Sequence, residues 1–431
     1  MTVASLCRRL ASACFAAPLR AGALAFAVWC GVSGPVEAAP AKPTAASPAI
    51  AASPAIAAAM DVAVDGAKTR FTVTLSRPIA AKAFLMERPD RVIVDLPELT
   101  FHLPGETGRE RAGVVSSFRY GLFAPGRSRI VIDLAQPALV SKIEVTPHPR
   151  DGSAVLTLEL ARAERDAFRR AAVDTIPGPE RAAPPITDAG KDRRPVIMLD
   201  PGHGGIDPGA AVAGGNGLFE KEIVLAFAER FKKRLEAGGR YRVLMTRDHD
   251  VFVPLGDRVR LARAAKADLF ISIHADSIAG GTEVRGLTVY TGSERASDAD
   301  SARLADRENR SDALAGIDGG ETADDVSDIL QELTLRETRA FSHGFAGRLV
   351  SELDPVARLN KNPHRQAGFR VLRAHDIPSV LLELGYLSSR KDFDLLMSDE
   401  WRDRAIGAMT TAIDRFFATR LVNQGGAPKA P

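Results

Sequence analysis

The alternation of apolar and polar residues changes character at about residue 194. Before that point the chain holds short segments such as RFTVTLS, DRVIVDL, SRIVIDL and AVLTLEL, separated by turn-forming residues. Alternation with a period of two is typical of strands that bury one face. The pattern therefore predicts an all-β sandwich domain over residues 61–161.

Apolar segments alternate with helical patterns in the second half of the chain. Continuous apolar runs indicate buried strands at 195–200, 242–247, 268–274, 286–291 and 379–385. Apolar residues at helical spacing indicate helices at 220–237, 256–266 and 338–353. Strand–helix alternation of this kind predicts an α/β domain with a largely parallel sheet, here over 194–420.

The first residues of the chain have the composition of an export signal. Residues 1–38 begin with arginines, continue with an apolar stretch and end in VEA, which predicts a signal peptide. The pair Arg8 and Arg9 leaves the twin-arginine export route open. No membrane span is expected after processing.

Three further segments are too biased in composition to build a core. Residues 39–60 are rich in Ala and Pro, with AASPAI occurring twice in tandem, and 162–193 are charged and rich in Pro. Such segments predict extended linkers. Residues 421–431 are expected to form a tail.

Charge and cysteine content exclude several classes of function. The formal net charge of the 431 residues is +3, a near balance that indicates no nucleic-acid partner. Cys7, Cys14 and Cys30 all lie in the predicted signal peptide, so the processed chain has no disulfides, thiol nucleophiles or thiolate ligands. A metal site in that chain must use His, Asp and Glu side chains.

Four polar residues are placed where an α/β sheet has its active site, beyond the carboxyl ends of the strands. His203 follows the first strand within LDPGHGGIDPG, His274 ends LFISIH, Glu383 lies in VLLELG, and Glu220 opens the long helix. Two imidazoles and one carboxylate form a catalytic zinc set with a position left for water. The second carboxylate is then free to act as a general base.

Spacing alone leaves other interpretations of these residues open. The histidines could be satisfied loop residues, and Glu220 could simply favour the positive end of a helix. The glycines around His203 match neither the dinucleotide nor the Walker fingerprint, and no H-E-x-x-H is present. We expect these glycines to let a polymeric substrate approach the site closely.

Four segments, DPGHGGIDPGA, FEKEIVLAFA, SIHAD and PSVLLELGYLS, resemble those of the zinc-dependent N-acetylmuramoyl-L-alanine amidases of cell division. The resemblance covers about residues 195–420. It implies that His203, Glu220 and His274 bind Zn²⁺ and that Glu383 is catalytic. The implied reaction is hydrolysis of the amide between N-acetylmuramic acid and L-alanine in peptidoglycan, by a periplasmic monomer active in daughter-cell separation. The β-domain resembles the amidase N-terminal domain, which implies cell-wall binding and recruitment to the division site.

An acidic insertion at about 294–335 does not fit a plain hydrolase domain. Within it, ARLADRENRSDALAG predicts a helix on which Leu304, Glu308 and Ser311 share one face. In the division amidases a helix inserted after the SIHAD strand occludes zinc until an activator displaces it. The resemblance therefore implies an autoinhibitory helix and a periplasmic activator. Glu308 is the candidate zinc contact, with Asp306 and Asp312 as controls, and which acidic residue of the insertion reaches zinc stays open. The alternative is a solvated acidic surface helix.

Two rival functions stay open at this point. One is a peptidoglycan receptor whose amidase-like domain no longer turns over. The other is a zinc carboxypeptidase or endopeptidase that cuts within the stem peptide, with the same metal chemistry.

Overall fold

The computed structural model describes residues 53–105, 107–172, 192–212, 217–277, 285–317 and 329–425. The predicted signal peptide 1–38 lies outside the described residues, as do most of the first linker and the end of the tail. The described chain forms an all-β domain followed by an α/β domain, which confirms the predicted fold class.

The first domain is a sandwich of two sheets. Its strands are β1 (Ala55–Asp65), β2 (Lys68–Leu75), β3 (Lys82–Met86), β4 (Arg91–Pro97), β5 (Leu99–Phe101), β6 (Val115–Ala124), β7 (Arg127–Leu134), β8 (Ala138–Pro147) and β9 (Ala154–Arg162). The five-stranded sheet has the order β5-β1-β2-β9-β8 and the four-stranded sheet has the order β3-β4-β7-β6. Phe71 and Leu158 of one sheet share a buried core with Val94 and Ile132 of the other.

The four-stranded sheet is buried on both faces. Val92 and Val94 of β4 face the sandwich core, whereas Ile93 between them packs with Val131 against residues of the second domain. All four side chains are at most 1% exposed. Burial on both faces gives a continuous apolar run instead of strict alternation, which is why RVIVDL and SRIVIDL have this form.

Two predicted linkers contain regular structure at their ends, and the boundaries are corrected accordingly. Strand β1 begins at Ala55, inside the predicted linker 39–60, and buries Ala55 and Ala57 almost completely. Side chains this small give little apolar signal, so the composition concealed a strand. The predicted linker 162–193 contains the short helix α1 (Arg165–Ala171), which is anchored by the buried side chain of Phe168.

The second domain is built on one mixed sheet. Its elements are β10 (Val196–Pro201), α2 (Glu220–Ala237), β11 (Arg242–Met245), α3 (Leu255–Ala264), β12 (Leu269–His274), β13 (Leu287–Gly292), α4 (Ala299–Glu308), α5 (Ser311–Leu314), α6 (Ile329–Leu353), β14 (Leu359–Ala367), β15 (Ser379–Glu383), α7 (Arg390–Leu396) and α8 (Asp399–Gly425). The strand order is β11-β10-β12-β15-β13-β14, and only the β13–β15 pair is antiparallel.

The five strands predicted in this domain are present, and one further strand was not predicted. Strand β14 has the polar sequence LNKNPHRQA and, among the described strands, pairs only with β13. An edge strand tolerates proline and polar side chains because one side of its ladder is unpaired. Such a sequence lacks the apolar pattern by which the other strands were found.

The centre of the sheet determines where the site lies. Strands β10, β12 and β15 are neighbours and parallel, so their carboxyl ends meet at one edge, and His274 is in register with Glu383. Helix α2 buries Val224, Phe227 and Phe231 in the core beside this sheet. Its first residue, Glu220, is brought to the same edge.

Candidate metal centre

The loop after β10 turns sharply at His203. This residue has a φ of 57°, in the left-handed region that non-glycine residues rarely adopt, and Gly204 and Gly205 follow with φ of 120° and 55°. The Arg258 guanidinium fixes the turn, since it donates to the carbonyls of Pro201 and His203 at 2.9 and 2.8 Å. These bonds help to stabilise a backbone conformation that costs about 1 kcal/mol or more in isolation.

Two glycines make room for the side chains of the site. A Cβ on Gly202 would lie 2.3 Å from Cε1 of His274, and one on Gly209 would lie 2.6 Å from Cδ2 of His203 and 2.8 Å from Oε2 of Glu220. Ordinary contact between carbon atoms needs about 3.5–4.0 Å. The expectation that the glycines admit substrate is therefore corrected for these two, whose open space is already filled by the site.

Three of the predicted site residues form one buried cluster. Nε2 of His203 lies 3.2 Å from one oxygen of Glu220, and Nδ1 of His274 lies 3.2 Å from the other. One potential ligand atom from each residue lies within 4.8 Å of the others, and each residue is at most 8% exposed. Neither of these two ring nitrogens has a hydrogen-bond partner among the described residues.

The orphaned nitrogens show that the cluster fits a metal. Buried polar atoms are nearly always hydrogen-bonded, so two that converge on one carboxylate need another partner. Two imidazoles and a carboxylate are a known donor set for a catalytic divalent zinc ion. The residues present could therefore hold such an ion.

Asp207 orients the first histidine. Its Oδ2 lies 3.0 Å from Nδ1 of His203, which directs Nε2 of the ring toward the cluster. Although burial opposes protonation, the carboxylates of Glu220 and Asp207 raise the pKa of His203 well above its ordinary value. Asp207 was not among the residues predicted from the sequence; the available signal was an acidic residue four positions after a histidine in one tight loop.

Glu383 stands beside the cluster and is fully buried. Its Oε2 accepts a hydrogen bond from the backbone N–H of Asp276 at 3.0 Å, while Oε1 has no hydrogen-bond partner in the described part of the chain. Burial and the Asp276 carboxylate raise the pKa of Glu383 well above its ordinary value. A carboxyl group whose pKa is raised in this way is a better proton acceptor than an ordinary glutamate and can also return the proton.

A polar network beneath the site was also missed. Asp200 accepts from Arg258 at 2.8 Å and from the hydroxyls of Thr246 and Ser272 at 2.6 and 2.7 Å. Arg247 donates to the carbonyls of Pro201, Gly202 and Lys221 and so ties the histidine loop to the start of α2. These residues belong to no local sequence pattern, because the fold alone brings them together.

The predicted inhibitory residue reaches the cluster. Oε2 of Glu308 lies 3.3 Å from Nδ1 of His274 and 3.5 Å from Nε2 of His203. Leu304, Glu308 and Ser311 are all buried, as the helical spacing predicts. Burial raises the pKa of the Glu308 carboxyl, although the two histidines oppose this shift.

The helix around Glu308 is shorter than predicted. Helix α4 ends at Glu308, and α5 begins only after a turn at Asn309 and Arg310. At this break the Asn309 side chain donates to the carbonyl of Gly368 at 2.9 Å and accepts from the N–H of Arg370 at 2.8 Å. We call residues 299–317 the gate segment; residues 318–328 of the insertion lie outside the described residues.

Other side chains of the gate segment also bind the site. Arg307 forms an ion pair with Asp276, and the hydroxyl of Ser311 donates to Asp207. Asp306 is exposed, which suits its use as a control. Asp312 is not a neutral control, because its Oδ1 accepts from the backbone N–H of Leu255 at 2.9 Å.

The fold and this cluster define an α/β domain with a buried His–Glu–His site of the kind that holds a catalytic metal. A family model described as N-acetylmuramoyl-L-alanine amidase matches residues 197–415, and the AMIN domain model matches residues 59–156. The chain belongs to the N-acetylmuramoyl-L-alanine amidase family and carries an N-terminal AMIN domain. The resemblance given by the four sequence segments is thereby confirmed.

Two relatives that match over most of their length agree with this assignment. The chain is 34% identical to N-acetylmuramoyl-L-alanine amidase AmiC of Neisseria meningitidis over 83% of this chain and 89% of that protein. It is 32% identical to AmiC of Escherichia coli over 81% of this chain and 87% of the relative. A solved structure, AmiC2 of Nostoc punctiforme, is 27% identical with a TM-score of 0.38, covering 52% of this chain and 97% of that one. None of the described helices has the length and apolarity needed to cross a membrane.

Proposed function

We propose that this amidase depends on zinc and cleaves the amide between the lactyl group of N-acetylmuramic acid and L-alanine in peptidoglycan, in wall remodelling and daughter-cell separation. The observation that carries the proposal is the convergence of His203, Glu220 and His274 within 4.8 Å. The enzyme acts as a periplasmic monomer after removal of the predicted signal peptide. Its AMIN domain binds the cell wall and recruits the chain to the division site.

The geometry supports a division of roles among these residues. His203, Glu220 and His274 would hold Zn²⁺, which would supply a Lewis acid for the scissile carbonyl and a bound water with a pKa lowered to about 7. Asp207 positions His203 through its Nδ1. Glu383 accepts a proton from the attacking water at Oε1 and donates it to the departing nitrogen of L-alanine. The raised pKa of Glu383 suits both halves of this transfer.

We further propose that the gate segment inhibits the enzyme. The Glu308 carboxylate lies against the two orphaned ring nitrogens, where it competes with the water and carbonyl that the reaction needs. Arg307 at the same time covers Asp276 beside Glu383. A periplasmic activator acts by binding the open state better than the closed one.

Digestion of purified peptidoglycan tests the reaction. The Glu308→Ala variant, loaded with zinc, should release stem peptides that begin with L-alanine and leave the glycan intact, as seen by mass spectrometry. Cleavage between amino acids of the stem would support the peptidase alternative. No release by a folded, zinc-loaded variant would support the receptor alternative. Sedimentation of the intact chain with cell walls, compared with a chain lacking 61–161, tests the role of the AMIN domain.

A further inference from the structure

The outer face of the four-stranded AMIN sheet carries three arginines. Arg91 lies on β4, Arg119 on β6 and Arg129 on β7. Asp133 is opposite Arg91 in the ladder and binds Arg91 and Arg119. Asp95, opposite Arg129, accepts from two of its nitrogens at 2.6 and 3.0 Å. The aspartates fix the guanidinium planes, and the remaining donors point away from the sheet.

Those donors bind the end of the gate segment. Arg91 donates to the carbonyl of Ala313, and Arg119 donates to that of Leu314 at 2.9 Å. Arg129 donates to the carbonyls of Ala315 and Gly316 at 3.1 and 3.4 Å. Four consecutive carbonyls are thus held by the other domain. The last carbonyls of a helix have no partner within the helix, so they need such donors.

Apolar contacts surround these hydrogen bonds. Ala315 is fully buried in a cluster that combines Ile93 and Val131 of the AMIN sheet with Ile206 and Phe252 of the catalytic domain. The fit is close on the gate side as well: a Cβ on Gly316, which has a φ of +70°, would lie 2.6 Å from Cδ1 of Ile93.

The same sheet also touches the loop that carries His203. The carbonyl of Leu122 accepts from the N–H of Phe252 at 3.2 Å, and a Cβ on Gly205 would lie 1.8 Å from that carbonyl oxygen. A Cβ on Gly121 would likewise lie 2.4 Å from the backbone carbonyl carbon of Gly205. The gate end is therefore enclosed between the AMIN sheet and the catalytic domain.

The hydrogen bonds from these arginines to the gate segment are stronger than those of an exposed ion pair. Arg129 is fully buried and Arg91 is 5% exposed, and Arg129 also lies 3.6 Å above the Phe123 ring. Hydrogen bonds from charged donors in a water-excluded setting contribute more than exposed ion pairs do. If the gate segment moved away from the sheet, the guanidinium donors and the carbonyls would lose these hydrogen bonds, and water would have to solvate them instead.

We propose that Arg91, Arg119 and Arg129, the arginine latch, make the AMIN domain the docking surface that holds the gate segment closed. This inference rests on the proposed inhibition by Glu308 and adds the part of the chain that enforces it. The latch binds residues 313–316, which begin only five positions beyond Glu308. The gate segment therefore cannot move away from the His–Glu–His cluster while its end stays bound to the sheet. The AMIN domain thereby has a regulatory role beside wall binding.

Hydrogen exchange of the intact, zinc-loaded chain tests the latch. Arg119→Gln is the most informative variant, because the Arg119 side chain is 19% exposed and its loss endangers folding least. We expect exchange in residues 299–317 and dye release from labelled peptidoglycan both to rise roughly tenfold. Arg70→Gln, which removes an arginine from β2 and its ion pair with Asp65, is the matched control and should change neither.

The outcomes separate the latch from the inhibition on which it rests. If Glu308→Ala raises dye release while Arg119→Gln leaves gate exchange and activity at the wild-type level, the latch is wrong and the inhibition stands. If Arg119→Gln speeds hydrogen exchange in residues 299–317 but neither variant raises activity, the sheet is a docking surface for the gate segment, and the proposed inhibition by Glu308 is wrong.

A reversible crosslink covers the case in which Arg119→Gln loosens the whole sandwich. An ideal Cβ on Gly316 lies 3.3 Å from Cγ1 of Ile93, which places cysteines at 93 and 316 near disulfide range. With Cys7, Cys14 and Cys30 changed to Ser, the Ile93→Cys/Gly316→Cys pair is added to Arg119→Gln. Oxidation should restore low activity and slow gate exchange, and reduction should reverse both. A crosslinked protein as active as the reduced one would overturn the proposal.

Discussion

Replacing Gly202 by alanine should weaken metal binding while every proposed ligand keeps its identity. The added Cβ would lie 2.3 Å from Cε1 and 2.5 Å from Nε2 of His274. Ordinary contact needs about 3.5–4.0 Å, so the ring must move by roughly 1 Å. Metal–ligand distances tolerate only about 0.2 Å. The φ of Gly202 lies outside the left-handed region, so backbone strain does not confuse the result.

We expect zinc affinity to fall on the order of 100-fold, since even loss of a residue that only orients a ligand costs 10–100-fold. Competition with a chelator of known affinity measures it on metal-free protein. Gly344→Ala in α6 is the matched control, because a Cβ there meets nothing within 4 Å; it should bind zinc normally and gain up to about 1 kcal/mol of stability. Wild-type zinc affinity in a folded Gly202→Ala variant would refute the assignment of His274 as a ligand.

Three further predictions concern separate parts of the site. Glu383→Gln should keep zinc, measured by elemental analysis, and lose activity by about 10²–10⁴-fold; loss of zinc would contradict its role as base. Glu308→Lys should raise basal dye release from labelled peptidoglycan, by tenfold for each ~1.4 kcal/mol of preference for the closed gate. Asp306→Lys, at an exposed position, should not raise it. Equal rates for wild type and Glu308→Lys would refute the gate. Asp200→Asn should lower the free energy of unfolding by about 3 kcal/mol, because it breaks a buried ion pair with Arg258. Although burial opposes ionisation, Arg258 holds the pKa of Asp200 below its ordinary value. The difference in free energy of unfolding between wild type and Asp200→Asn, measured by urea denaturation, should therefore be full at pH 7 and shrink as the pH falls below about 4. A destabilisation by Asp200→Asn that does not change with pH would contradict the ion-pair explanation.

The four main site residues could be predicted because each is attached to a strong local pattern. His274 and Glu383 end apolar strands, His203 follows one, and Glu220 begins an amphipathic helix. The topology of a parallel sheet then brings these ends together. Their proximity is now observed, while their separate roles stay predictions.

Residues that act through tertiary contacts could not be found in this way. Asp207, Arg247 and Arg258 support the histidine loop, but only folding makes them neighbours. At the break in the gate helix after Glu308, Asn309 binds the backbone of Gly368 and Arg370, which are distant in sequence. Helical spacing could place Glu308 inward, yet it could not show where the helix ends.

Two strands of the AMIN sheet have apolar residues where alternation of apolar and polar residues predicts polar ones, and the interface between the domains explains them. A sandwich strand with one solvated face should show a polar residue at Ile93 and at Val131, but both are apolar and fully buried. Continuous apolar runs in β4 and β7 therefore indicate a second partner for that sheet. The sequence cannot name the partner, and the structure places the gate end and the catalytic domain there.

Enclosure of the gate between two domains limits how any activator can work. To convert a gate that is 99% closed into one that is 99% open, a ligand must prefer the open state by about 10⁴-fold, or about 5.5 kcal/mol. A ligand that contacts surfaces identical in both states shifts nothing, however tightly it binds. Cell-wall binding at a part of the AMIN domain remote from the latch would therefore recruit the enzyme without activating it. If the gate segment inhibits as proposed, an activator would need to contact a surface that differs between the states, such as the gate segment itself or the sheet face bearing Arg91, Arg119 and Arg129.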